Sequence, residues 1–263
     1  MNRYEVPQKL ATEILTAIAW LAGELPGSYV QIDAMGNHND KEWKDTSPLV
    51  VISGESRKLI EKLEPSLEAL METGECDLLG AYFRMKPRGR IELYRGPLSS
   101  CFWQMVPKLV DQFPVTAWQL SRLAEAWVQK TLKHEEFHHH IDVLMVLFGT
   151  HAFKDRLLEE ALAVACSHND VSRRGGSVFY WDNLPEPLKA HFLDSAYRYS
   201  APGYRDWKKY EGWEWKNATI GYVIHPNAQR LIEMASGEPF QGSHMMRHMF
   251  DYDSSNMVDI EIV

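Results

Sequence analysis

From residue 116 to residue 148 the chain contains neither glycine nor proline. A run of that length without a breaker predicts one long helix. It carries His134-Glu135-Glu136-Phe137-His138, an H-E-x-x-H pattern. On a helix, residues four apart lie about 40° apart around the axis and about 6 Å apart along it. His134 and His138 therefore present two imidazoles toward one point, where two nitrogens about 2 Å from a single metal ion are feasible. Glu135 projects about 100° from His134, on the flank of the same face. It is placed to take a proton from a metal-bound water rather than to share the metal.

Composition narrows the setting. The chain has 263 residues, 45% hydrophobic and 24% charged, the make-up of an ordinary soluble globular protein of one large domain or two small ones. The balance of 28 Lys+Arg against 36 Asp+Glu gives a formal net charge of −8. That argues against nucleic acid or an anionic membrane surface as the main partner. Cys76, Cys101 and Cys166 are far apart and odd in number, which speaks against both a disulfide framework and a cysteine-based zinc cluster. Histidine is the unusual count: of eleven, four fall between residues 134 and 140. No run of about 18 apolar residues occurs, so no membrane span is expected. Glu5, Glu13 and Glu24 interrupt the N-terminal apolar pattern, which argues against a signal peptide. The expected compartment is the cytoplasm.

Leu10, Ile14, Ile18 and Leu21 predict an amphipathic helix from near Pro7 to before Gly27. Short strands are expected at 28–33 and 49–53, and a second helix at 56–72, kinked or split by Pro65. Residues 78–83 and 90–95, joined by a turn rich in Lys, Arg, Pro and Gly, have the signature of a β-hairpin. Beyond the long helix, further helices are expected at about 152–168, 188–197 and 227–235. A loop at 172–177, a turn crowded with Tyr and Arg at 197–207 and a terminal strand at 257–263 complete the pattern. A boundary near residue 75 sets off an N-terminal accessory part, 1–75, from residues 76–263, or lies within a single domain.

A catalytic zinc normally has three protein ligands and one open position. Asp142 is the local rival for the third, but the outer two of residues i, i+4 and i+8 on a straight helix lie about 12 Å apart. The next helix, with Leu157-Leu158-Glu159-Glu160-Ala161-Leu162-Ala163, returns a carboxylate to the histidine pair if it runs antiparallel.

H-E-x-x-H followed by E-A-L-A resembles the zincin metallopeptidases, and among them the gluzincin branch. The resemblance covers roughly residues 78–168. It implies an α+β, zincin-like fold for residues 76–263: a small mixed or antiparallel sheet with its edge strand over a cleft, a long active-site helix, and a following helix bearing a ligand glutamate. It implies one zinc ion per chain, held by His134, His138 and Glu160, with Glu159 as a neighbour and an exchange of the two glutamates left open. Residues 90–95, paired with 80–83, resemble the edge strand, which holds an extended peptide by strand addition.

The implied activity is zinc-dependent hydrolysis of peptide bonds in a peptide or protein substrate. The metal lowers the pKa of its water and polarises the scissile carbonyl. Glu135 takes the water proton and delivers it to the leaving amine. Gluzincins stabilise the oxyanion from a Tyr or His downstream of the third ligand. Candidates here are Tyr204 and Arg205, fixed by the Pro202-Gly203 turn, then Tyr197, Tyr199 and His225. The competing arrangement packs Tyr204 on Trp207 and pairs Arg205 with Asp206.

The remaining features have ordinary readings. His139 and His140 point away from the metal direction, His151 sits in a loop, and His244 and His248 belong to a Met-rich helix. Trp118 and Trp127 are core residues, and the basic stretch at 86–90 is a solvated turn. Three rival functions are weaker. A ferritin-like di-iron protein needs E-x-x-H on two helices, whereas Glu135/His138 and Glu136/His139 share one. The hairpin opposes a helical-bundle metal hydrolase, and a metal-stabilised binding module has no use for a base at position 135.

Overall fold

The computed structural model is an α+β arrangement of helices around a small sheet. It describes residues 3, 5–23, 79–84, 88–113, 115–148, 155–174, 178, 181–199, 201–212, 214–223, 233–234 and 258–263. In chain order these form α1 (Val6–Gly23), β1 (Gly80–Phe83), β2 (Gly89–Leu93), α2 (Arg95–Val110), α3 (Ala117–Phe148), α4 (Arg156–Arg174), α5 (Glu186–Ala196), α6 (Glu214–Val223) and β3 (Val258–Ile262). Short 3-10 turns at Trp181–Asn183 and Tyr204–Tyr210 link the later helices. Among the described residues, no helix is long and apolar enough to cross a membrane.

The long helix α3 starts where its chemistry allows. The Thr116 hydroxyl accepts a hydrogen bond from the Gln119 N–H at 3.1 Å, and the Gln119 side-chain oxygen accepts one from the Thr116 N–H at 2.9 Å. This reciprocal capping box satisfies two donors that a helix start leaves open. Every residue from Leu120 to Leu132 is buried, so the first half of α3 is surrounded rather than laid on a surface. α1, α4 and the β1–β2 hairpin all pack against it. The core joins Leu10 and Ile14 of α1, Ile91 and Leu93 of β2, Leu123, Leu132 and Phe137 of α3, and Leu162 and Val164 of α4. α1, the described part of residues 1–75, thus shares one core with the later elements. Trp127 lies in that core and Trp118 packs against it, as expected. Trp127 Nε1 also donates to the Leu98 carbonyl at 3.0 Å, which ties α2 to α3.

α4 runs antiparallel to α3: Ser167 donates its hydroxyl to the Lys130 carbonyl at 2.7 Å, whereas Glu160 and Glu159 reach the later residues His134 and His138. The helix starts at Arg156, later than expected, because Asp155 caps it by accepting from the N–H groups of Leu157 and Leu158 at 3.0 and 3.2 Å. It continues to Arg174, into the expected loop, since no glycine interrupts it before Gly175.

The sheet order is β1-β2-β3, with β1 antiparallel and β3 parallel to β2. This corrects the expectation that residues 90–95 form the edge strand. The terminal strand β3 covers the outer side of β2, so among the described residues β2 is central and β1 and β3 are the edges. β2 ends at Leu93, and α2 begins at Arg95 with Pro97 in its first turn, where a missing N–H does no harm. Helices α2 and α6 have no counterpart in the sequence reading. The expected strands at 28–33 and 49–53, the helix at 56–72, and His151, His225, His244 and His248 lie outside the described residues. So does the expected helix at 227–235, apart from the helical residues 233 and 234.

Lys130 is enclosed in the centre of α3. Its ammonium lies 4.3 Å from the Trp127 ring centroid, 5.3 Å from Tyr197 and 4.9 Å from Tyr199. Burial pulls its pKa down to about 7, with the Cys101 thiol acting weakly the other way. A lysine whose folded pKa is depressed binds fewer protons folded than unfolded above pH 7, so stability rises as pH climbs from about 7 toward the unfolded value near 10.4. Lys130→Met is therefore expected to raise stability by on the order of 2 kcal/mol at pH 6, and the gain should shrink toward pH 10. Urea unfolding of both proteins across that range measures it.

Candidate metal centre

The antiparallel packing brings three ligand atoms together. His134 Nε2 lies 3.0 Å from Glu160 Oε2, His138 Nε2 lies 3.4 Å from that same oxygen, and the two Nε2 atoms are 3.3 Å apart. Among the described residues, these side chains form a group of ligand atoms within 4.8 Å of one another. An ion bound tetrahedrally at about 2.0–2.1 Å separates its ligands by about 3.3 Å. The triangle of atoms has that size, and its donor set of two imidazoles and a carboxylate suits zinc. The residues present therefore fit the group that the resemblance implies.

Electrostatics favour positive charge at this point. Burial opposes ionisation of Glu160, but hydrogen bonds from His134 and His138 outweigh it and hold the carboxyl well below the usual range. Burial likewise works against a charged His138, yet Glu159 and Glu160 raise it to about 10. Two carboxylates thus converge on a histidine pair and create a local demand for a cation.

Glu159 does a different job from its neighbour. Its Oε1 lies 2.8 Å from His138 Nδ1, and its Oε2 accepts a hydrogen bond from the Tyr222 hydroxyl at 2.6 Å. With a metal in the triangle, a proton kept on Nδ1 by this carboxylate would leave Nε2 as the ligand atom. The two glutamates therefore have distinct places: Glu160 in the triangle, Glu159 behind His138.

Glu135 is buried beside the triangle, and desolvation raises its pKa against the opposing charges of His134 and His138. Its carboxylate accepts a hydrogen bond from the backbone of Tyr82 in β1. A Cβ on Gly80 would sit 3.2 Å from Glu135 Cγ and 3.1 Å from Thr131 Cγ2, so glycine lets the strand lie directly against Glu135. The Tyr82 side chain reaches the same helix: its hydroxyl donates to Asp142 Oδ2 at 2.8 Å and lies 3.3 Å from His139 Nδ1. His139 is thus a buried support for the edge strand, and His140 is buried too, with its pKa pushed down to about 4 by desolvation.

A cavity of about 290 Å³ opens between β1 and α4, lined by Gly80, Tyr82, His134, Glu135, His138, Asp142, Glu160 and Tyr204 among others. Tyr204 stacks on His134 with ring centroids 5.6 Å apart and planes 13° apart. This places the Tyr204 ring against the histidine pair, as the functional alternative expects. Arg205 is exposed and is not among the lining residues, and Asp206 pairs with Lys209 at 2.8 Å. Tyr197 is buried, with its hydroxyl 2.9 Å from Ser167, and Tyr199 packs behind Tyr204 at 5.4 Å. His225 lies outside the described residues. Tyr82 and Tyr222 are additions that the linear pattern does not reveal, and Asp142, the local rival for the third ligand, accepts from the Tyr82 hydroxyl instead.

Comparison with protein-family models, with curated proteins and with solved structures returns no match for this chain.

Gly203 supports the placement of Tyr204. Its φ of 83° is in the left-handed region, and a Cβ there would meet the Leu157 carbonyl oxygen at 2.9 Å. Gly203→Ala is expected to lower stability by about 1–3 kcal/mol, measured by denaturant unfolding. The same variant should shift Tyr204 off His134, seen as a changed imidazole chemical shift.

Proposed function

We propose that this chain is a zinc-dependent metallopeptidase with a zincin-like catalytic arrangement. The observation that carries the reading is the triangle of His134 Nε2, His138 Nε2 and Glu160 Oε2, with edges of 3.0, 3.3 and 3.4 Å, beside a buried glutamate. Zinc held by these residues supplies Lewis acidity and an acidified water. The chain's own groups do the rest.

Glu135, with its pKa raised by burial, accepts the proton of the attacking water and passes it to the leaving amine. Tyr204, stacked on His134 in the cavity wall, is the residue proposed to donate its hydroxyl to the oxyanion. β1 is an edge strand bordering the cavity, and an extended peptide lies along it by strand addition. Glu135 beside the ligands speaks against a purely structural site, since nothing in such a site needs a buried base. The hairpin lying against α3 likewise disfavours a helical-bundle hydrolase.

Elemental analysis should find one zinc per chain after purification without chelator; two irons per chain would end this reading. Glu135→Gln should retain the zinc and lower hydrolysis of a fluorescein-labelled casein by about 10²- to 10⁴-fold. Glu160→Ala should lose zinc affinity, and undiminished affinity would remove Glu160 from the ligand set.

A further inference from the structure

We infer that Tyr222 sets the division of labour between Glu159 and Glu160, by holding Glu159 as the hydrogen-bond partner of His138 and so keeping Glu160 as the metal-facing carboxylate. The inference rests on the metal reading above and deepens it.

Adjacent glutamates on a helix point about 100° apart, and here both are long enough to reach the same histidine. Glu159 Oε1 is 2.8 Å from His138 Nδ1, and Glu160 Oε2 is 3.4 Å from His138 Nε2. The two carboxylates are chemically identical, so sequence alone leaves either free to be the ligand. What separates them is the environment of the second oxygen. Glu160 directs its oxygen to both histidines. Glu159 has its remaining oxygen engaged by the Tyr222 hydroxyl at 2.6 Å, from a residue 63 positions away on α6.

The geometry makes Tyr222 a positioning residue that acts through Glu159. The hydroxyl donates and Glu159 accepts, which leaves the other carboxylate oxygen to accept from His138 Nδ1–H. That bond selects the tautomer with an unprotonated Nε2 and fixes the ring plane. Without the hydroxyl, Glu159 Oε2 loses this donor, and the carboxylate can rotate away from His138 or compete with Glu160 for a place beside the two histidines.

The test is a double-mutant cycle on zinc affinity, measured by competition with a chromophoric chelator on the full chain. Tyr222→Phe and Glu159→Gln should each weaken zinc binding by about tenfold or more. The double variant should be no weaker than the weaker single variant, because the two residues act as one unit. The visible spectrum of the cobalt-substituted protein should change in both single variants, while thermal unfolding of the metal-free Tyr222→Phe protein stays at the parent midpoint. Parent-like zinc affinity and cobalt spectrum in Tyr222→Phe would overturn the inference, as would losses that multiply in the double variant. A parent chain that binds no zinc would instead overturn the metal reading beneath it.

Discussion

Ser167 of α4 donates its hydroxyl to the Lys130 carbonyl of α3, and seven residues back along α4 the Glu160 carboxylate meets His134. These two contacts define the registry of the central helix pair. Glu160, Ala163 and Ser167 follow one helical face, and small residues there let the two backbones come close enough for a side-chain hydroxyl to reach a main-chain carbonyl. A slip of one turn, about 5.4 Å, would carry Glu160 away from both imidazoles. Every property of the centre, from the triangle of ligand atoms to the orientation of His138, follows from that registry.

The surroundings of α3 sort its histidines. His138 faces two glutamates and is raised to about 10, whereas His140, two residues on and turned to the other side of the helix, is pushed down to about 4 by desolvation. His139 is also lowered by burial and is spent on Tyr82. Nearby, burial opposes a charged Glu136, but Lys133 and Arg3 outweigh it and keep the carboxyl ionised. A helix this polar survives at the centre because these groups meet partners, and because unpaired ones are costly in a low-dielectric interior. The same partners leave the helix few alternative packings.

Much of the centre was legible in the residue order because it rests on local geometry. The absence of breakers predicts α3, the four-residue spacing predicts the His134–His138 pair, and the Glu after the first histidine predicts its place beside the ligands. The hairpin, α1, α5 and the terminal strand follow from periodicity and turn residues in the same way. What escaped is non-local. Which hairpin strand forms the edge depends on where residues 258–262 return, and no periodicity encodes that. Tyr222 meets Glu159 across 63 positions, and α6 presents no pattern that marks it. The choice between Glu159 and Glu160 likewise lies in what stands behind each one. Arg205 and Tyr204 are neighbours in sequence, yet only Tyr204 borders the cavity, because the turn at Gly203 directs it there.

The hydrogen bond from the Tyr82 backbone to Glu135 has a mechanical consequence. Backbone groups along a strand alternate sides, so the group that meets Glu135 recurs only at every second residue. A one-residue shift of β1 would turn Tyr82 over, remove its hydroxyl from Asp142 and present the opposite face to Glu135. A two-residue shift would bring a side chain where Gly80 now leaves room. The hairpin is therefore a ruler as well as a wall: its pairing with β2 measures out which backbone group reaches Glu135, so strand registry and the surroundings of that carboxylate change together.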